Sequence, residues 1–511
     1  APINFDYKTA LDKEKIIDGF AQLTKIGPVT MQIKSLSRRA DVNKYINVLN
    51  HDFALEKDSH LKPYQDDYMR LIKRLGVYSG LSRRFFIVLE ACGNDTEKIK
   101  SFDDAVYYLD KAKQTIRRFI RNCGNAVIRH GDEKNFLINT LYEFANKNKT
   151  IYDLKERKQA FYDEAKRITD NDEELLDNFN VPVSTLVSPE KIEFYSEYCV
   201  VDGTYYSFLY IPSKEYPSRI SYAWLTGIIC GAEGIDVDIF VDKKDSKSMK
   251  NKLRTKIRIN KARMNTMKNT EGENYEEIGK SIQSSAYIRN RLNSGEDFFY
   301  VTTMFTLSAS SLEELYEKNS AVKDMFGAID VDLNECEYKI KEAFSSYMPL
   351  NTLDPYIYSK GKRNMTTSGL SAFYPFNSFE VSDTDGILLG ISDNKTMLVI
   401  DNFDTSKYSN ANITLLGTSG AGKTFTLQTM CLRFRLKGVQ TFVIAPIKGD
   451  EYERGCKEVN GEFLTISSGS KTRINIMEIR PSADENAKKL GYSSKRERQS
   501  ILSSKIDSLL T

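Results

Sequence analysis

Residues 417–424 read Gly-Thr-Ser-Gly-Ala-Gly-Lys-Thr, a full GxxxxGK[ST] loop, and they constrain the chain around them more than any other stretch. Such a loop holds phosphate only if successive backbone N–H groups curl around the anion while the positive end of a helix faces it. That geometry needs a strand before the loop and a helix after it. The run Asn412-Ile413-Thr414-Leu415-Leu416 is short and apolar, as a strand would be. Beyond the loop, Leu427, Met430, Cys431 and Phe434 recur at i, i+3, i+4 and i+7 until Lys437-Gly438 closes the helix. In this arrangement the backbone of Gly417, Thr418, Ser419, Gly420, Ala421 and Gly422 wraps the phosphates. Lys423 reaches the β- and γ-phosphates, and the Thr424 hydroxyl holds a metal ion. The expected ligand is ATP with Mg²⁺.

A chain of 511 residues exceeds one hydrophobic core, so about three domains or subdomains are expected. Hydrophobic content of 41% with 28% charged residues excludes a fibrous or low-complexity chain. A net charge of +3 leaves any nucleic-acid or membrane attraction to local clustering. Seven cysteines, odd in number and without a C-x-x-C pair, argue against a disulfide framework or zinc site and for a reducing compartment. Three histidines make a histidine-based metal site a poor expectation. No stretch reaches the length of about 18 apolar residues that spans a bilayer, and the N-terminus carries no signal pattern. The expected location is cytoplasmic.

Hydrophobic periodicity divides the chain into an α/β subdomain at 1–150, a charged helical connector at 151–182, a second α+β subdomain at 183–380, and the start of a nucleotide domain at 381–511. In the first part, strands are expected at 29–36, 84–89 and 126–129, with helices within 42–75, 102–119 and 134–146. In the second, strands are expected at 191–201, 204–211, 236–241 and 298–307. Helices are expected there at 219–230, 245–268, 276–292 and 311–325, and 351–367 reads as a loop. Residues 386–400 read as a hairpin. Strands at 412–416, 441–445, 463–466 and 474–479, alternating with helices, imply a parallel sheet with nucleotide at its carboxyl edge. The fold class is therefore α/β and α+β, multi-domain. An apolar helical stripe over 495–511 ends uncapped, and no apolar strand ending in Asp-Glu follows residue 452. The nucleotide domain is accordingly expected to be incomplete and, as this fragment, to bind ATP weakly without appreciable hydrolysis.

Two further constellations bear on chemistry. The strand after the loop's helix leads into Lys448-Gly449-Asp450-Glu451-Tyr452, where a water-activating carboxylate lies in one class of P-loop ATPases. Asp450 and Glu451 are the candidates, and their use as helix caps stays open as the alternative. Residues 243–268 hold eleven Lys and Arg against the single acid Asp245. They suit DNA phosphates or anionic lipid headgroups, and a solvated helix face is the plainer alternative.

The order of these parts resembles the large ATPases of conjugative type IV secretion systems, the CagE–TrbE–VirB family in its Gram-positive branch. The resemblance rests on the 386–400 hairpin, the 417–424 loop, the strand Thr-Phe-Val-Ile-Ala-Pro, the pair Glu451-Tyr452 and the segment Ile474-Asn475-Ile476-Met477-Glu478-Ile479. Two departures stand out: Ala445 where the family often has Asp, and Ile476 where it has Pro. The resemblance implies a RecA-like P-loop domain and a hexameric or dimeric ATPase, docked on membrane-channel subunits at the inner face of the cell membrane. Such an ATPase energises channel assembly or the transfer of DNA or protein. A DNA-pumping translocase of the HerA/FtsK type is the first alternative. A nucleotide-binding assembly scaffold without catalysis is the second.

Overall fold

The computed structural model describes the chain outside residues 1–2, 4, 6–7, 27–29, 40–42, 79–80, 92–98, 100, 129–130, 150, 169–180, 218–219, 227–233, 267–272, 378–382, 384, 392–396, 447–448, 468–469, 471–501, 505 and 507–511. The chain forms two compact units. One comprises Ala1–Tyr45 and Leu71–Phe403; the other comprises Ile46–Arg70 and Asp404–Thr511.

The first unit is built on a nine-stranded sheet whose pairings are all antiparallel. Its strands are β1 (Thr30–Arg39), β2 (Leu81–Leu89), β3 (Ile192–Phe194), β4 (Cys199–Val201), β5 (Thr204–Tyr210), β6 (Ile235–Lys244), β7 (Phe298–Ala309), β8 (Asn334–Glu335) and β9 (Arg363–Thr366). The main order is β2-β1-β6-β7-β5-β4-β3, with β8 paired to β5 and β9 to β7. Strands from residues 1–150 and from 183–380 thus share one sheet.

Central strands of this sheet are buried on both faces, because side chains alternate between two separate helical layers. On one face Met31, Ile33, Val237, Ile239, Val301 and Phe305 meet Ile17, Phe20 and Leu23 of helix Ala10–Ile26 and Leu315, Val322 and Phe326 of helix Leu312–Gly327. On the other, Leu36, Phe208, Phe240 and Met304 meet Phe144 of helix Glu133–Ala145 and Ile340, Ala343 and Tyr347 of helix Ile340–Tyr347. Burying each such large side chain contributes about 1.5–3 kcal/mol relative to leaving it in water. The helix Phe102–Ile120 starts where Ser101 and Asp104 cap each other reciprocally, a pattern readable from the sequence.

Several expectations are corrected. Residues 351–367 are not a loop: they contain the helix Pro355–Gly361, which Asp354 caps, and β9. Residues 126–128 are irregular rather than a strand; of the helix expected at 219–230, 220–221 are irregular, 222–225 form turns, Thr226 is helical and the rest lies outside the described residues. The 191–201 strand is two strands, β3 and β4, joined by a turn. The hairpin expected at 386–400 is present as the antiparallel pair β10 (Ile387–Ile391) and β11 (Met397–Ile400). In the second unit, 412–416, 441–445 and 463–466 are irregular rather than strands, so no parallel sheet is formed among the described residues. Apolarity in these runs predicts strands only when neighbours pair with them, and here Leu416, Phe442 and Ile444 are largely exposed. The strand expected at 474–479 lies outside the described residues.

A buried ionic network crosses the second face of the large sheet. Lys34 on β1 stands directly opposite Asp238 on β6, and its Nζ lies 2.9 and 2.7 Å from the two carboxylate oxygens. The same Nζ donates to the Tyr347 carbonyl at 2.7 Å and lies 3.8 Å from the centre of the Tyr347 ring. Gln32 Nε2 donates to Asp238 at 2.8 Å, and Lys147 pairs with Asp236 at 2.6 Å. Burial pushes the Asp238 carboxyl up to about 6 against the attraction of Lys34. Removing one charge of such a pair strands the other.

Lys34→Met is therefore expected to destabilise the first unit by about 3–5 kcal/mol at neutral pH. The fluorescence of Trp224, the one tryptophan, which packs edge-on against Phe373, follows that unit's unfolding. Without Lys34 the folded-state pKa of Asp238 stays above its unfolded value. The protonated acid is then tolerated at low pH, and stability falls as pH rises through the folded value. The loss should be larger at pH 8 than at pH 5. Equal losses at both would show that Asp238 does not bear the cost.

Candidate nucleotide-binding site

The glycine loop leads directly into the helix Lys423–Leu436, one of the two flanking elements a phosphate cradle uses; the other, the strand expected at 412–416, is irregular. Gly420 and Gly422 have φ of 80° and 86°, in the left-handed region where a side chain is strained. Gly422 is the N-cap, and its carbonyl accepts the Thr426 N–H at 2.9 Å. A β-branched or bulky residue at either position would unwind the turn that aims the backbone N–H groups.

Lys423 Nζ folds back over this turn and donates to the carbonyls of Gly417 at 2.8 Å and Thr418 at 2.6 Å. These are its hydrogen-bond partners, both from the loop itself. A phosphate oxygen entering the loop would exchange neutral carbonyl partners for an anionic one, and charge-assisted hydrogen bonds are about twice as strong. The loop residues Gly417 to Gly422 are exposed, while Lys423 and Thr424 are half-buried.

Asp450 and Glu451 lie in the first turn of the helix Asp450–Glu458. The N-cap is Gly449 and no side chain makes a cap hydrogen bond, while both acids stand in the first turn, where negative charge suits the helix dipole, so that alternative stays open. Both side chains are exposed. Gln428 Nε2 donates to the backbone carbonyl of Glu451 at 2.8 Å. Gln428 is five residues beyond Lys423, a rise of about 7.5 Å, so this bond ties the acidic turn close to the phosphate end of the loop's helix. Leu432 packs on Gly455 and reinforces the pairing of the two helices.

The opposite end of the loop's helix is held by a segment that periodicity does not single out. Arg435 pairs with Glu56 at 2.5 Å and with Asp58 at 3.6 Å, and Lys437 pairs with Asp52 at 3.1 Å. Gln65 Nε2 donates to the Leu436 carbonyl at 2.9 Å, and the Arg433 guanidinium lies 5.4 Å from the Tyr68 ring centre. Cations in the last helical turn suit its negative dipole end. The readable signal is a run of alternate bases, Arg433, Arg435 and Lys437, with acids at 52, 56 and 58 some 380 residues away in sequence. The backbone N–H of Asp58, followed by Arg435, holds the Glu56 carboxyl below the usual range.

Among the described residues no group of three or more His, Cys, Asp or Glu side chains is placed to hold a metal ion. No helix among them is long and apolar enough to cross a membrane. No protein-family model matches the chain, and no curated protein matches it either.

Arg435→Met should loosen the anchored end of the loop's helix by about 1–2 kcal/mol, read as faster amide hydrogen exchange over Met430–Leu436 at pH 7. Because the folded-state pKa of Glu56 is depressed, this contribution is complete above its unfolded value of about 4.5. It is lost as pH falls through the lower folded value. Unchanged exchange in the variant would mean that apolar packing of Met430 and Leu436 alone seats the helix.

Proposed function

We propose that this chain binds ATP through Gly417–Thr424 and serves as the motor of a conjugative type IV secretion machine. The observation that carries the nucleotide reading is the complete Gly-Thr-Ser-Gly-Ala-Gly-Lys-Thr loop, with left-handed glycines at 420 and 422, set on the N-terminus of helix Lys423–Leu436. Loop amides and the helix end would bind the phosphates, and Lys423 would turn from the Gly417 and Thr418 carbonyls to the β- and γ-phosphates. The donor set suits Mg²⁺ held by the Thr424 hydroxyl together with the triphosphate, the ion supplying charge neutralisation during phosphoryl transfer. Glu451, with Asp450 beside it, would orient or deprotonate the attacking water.

The secretion assignment rests on the resemblance of residues 385–482 to that family's motif order. It brings with it a RecA-like P-loop domain, self-association as a dimer or hexamer, and docking on membrane-channel subunits at the cytoplasmic face of the membrane. In that setting the chain would energise channel assembly or the passage of DNA or protein.

Isothermal titration with MgATP tests the site. Lys423→Ala should weaken binding by about tenfold or more, a loss of about 1.4 kcal/mol at least, with unchanged circular dichroism because Nζ bonds only to loop carbonyls. Equal affinity in the two proteins would remove the loop from consideration. Glu451→Gln should leave that affinity intact and slow any turnover the wild type shows. If Asp450→Asn alone slows it, the two acids exchange roles.

A further inference from the structure

Between β6 and β7 the chain makes a helical hairpin, Ser246–Thr266 and Glu273–Asn293. The first of these helices carries eight Lys and Arg and no acid, enough to reverse the sign of the chain's net charge of +3 if removed. Its apolar stripe is already used. Met249 and Leu253 pack with Leu292 and Phe298 at the base of the hairpin, Ile257 is buried, and Asn260 donates to Ser281 at 3.1 Å.

The remaining surface is ordered by the helical period of about 100° per residue. Opposite the buried stripe runs a ridge of short exposed residues, Ser248, Asn251, Thr255 and Ala262, with the half-exposed Ile259 at its shoulder. Lys247, Arg254, Arg258 and Lys261 lie on one flank of this ridge; Lys252, Lys256 and Arg263 lie on the other. All seven are exposed, and none forms an ion pair with a carboxylate of the described residues. By contrast Lys243 and Lys244, just before the helix, are paired to Asp297 and Asp242.

From this arrangement we propose that helix Ser246–Thr266 inserts its short-residue ridge into the major groove of double-stranded DNA, with its two cationic flanks on the phosphates of opposite strands. The major groove is about 12 Å wide and admits a helix of 10–12 Å diameter. The cations extend over about 24 Å of helix axis. Two flanks on opposite sides of a cylinder match two phosphate rows; a flat lipid surface engages them poorly. Membrane insertion would also need the apolar stripe that the hairpin has already buried. The major groove of duplex RNA is too narrow for the helix. This inference does not depend on nucleotide binding at the loop, and Lys423→Ala should leave it untouched.

Fluorescence anisotropy of the full chain with a labelled random-sequence 24-base-pair DNA duplex tests it. Affinity should fall with KCl between 50 and 200 mM, with a log–log slope of about −4.5 to −6.3 if about five to seven phosphates are neutralised. Reversing either flank alone, by Lys252→Glu with Lys256→Glu and Arg263→Glu or by Arg254→Glu with Arg258→Glu and Lys261→Glu, should weaken binding at least tenfold. Each should make the slope shallower by about 3. Thr255→Trp and Ala262→Trp keep every charge but fill the ridge; each should weaken duplex binding and leave binding to vesicles of 30% phosphatidylglycerol unchanged. Trp224 and circular dichroism verify folding of the charge-reversal variants, and circular dichroism that of the tryptophan variants. No duplex binding at 50 mM KCl, or ridge variants that bind like wild type, would overturn the proposal. So would vesicle binding tighter than duplex binding and lost with the same charges, which would point to a lipid surface instead.

Discussion

Lys34 and Asp238 face each other across β1 and β6 with neither side chain exposed to water. Much of the first unit's architecture is fixed by what this pair requires. A one-residue slip of β1 would move Lys34 to the opposite, apolar face and strand the Asp238 carboxylate in the interior. The pair thus sets the register between a strand near the N-terminus and one some 200 residues later. It also positions the end of helix Ile340–Tyr347, because Lys34 binds the Tyr347 carbonyl and Gln32 reaches toward the Ser346 carbonyl. An apolar replacement of the whole cluster could match it in stability but would not distinguish one register from another so sharply.

The second unit is held on different terms. Among its described residues there is no sheet, and the loop's helix is fixed at its carboxyl end by Glu56, Asp58, Asp52 and Gln65 and along its length by the helix Asp450–Glu458. Its amino end, with the glycine loop, is left exposed. That distribution suits a phosphate cradle: the helix axis is set by contacts remote from the ligand, while the loop's amides stay accessible. Lys423 is satisfied by neutral carbonyls that an anion can readily displace.

How much of this could be read from sequence depended on the range of the interactions involved. Long helices with a 3.6 period, such as Phe102–Ile120 and Leu312–Gly327, and strands of near-continuous apolarity, such as β6 and β7, were legible because each carries its own signal. The loop and its helix were legible because glycine spacing encodes a backbone shape. The direction of strand pairing was not, since a helix between two strands permits either an antiparallel or a parallel return. Pro355–Gly361 and β9 were hidden by polar side chains, their burial being decided by β7 alongside. The acids at 52, 56 and 58 carry no periodic signal of their own; only their meeting with Arg435 and Lys437 gives them a role. Asp450 and Glu451 start a helix, as their sequence context implies, with Gly449 at its N-cap.

The central claim is that Gly417–Thr424 is a nucleoside triphosphate cradle, and amide hydrogen exchange with and without MgATP addresses it at the residues concerned. Binding should slow exchange across Gly417–Thr426, where the loop N–H groups turn to phosphate, and leave the strands of the large sheet unchanged. No protection of that segment at millimolar MgATP, or protection confined to another part of the chain, would contradict the account.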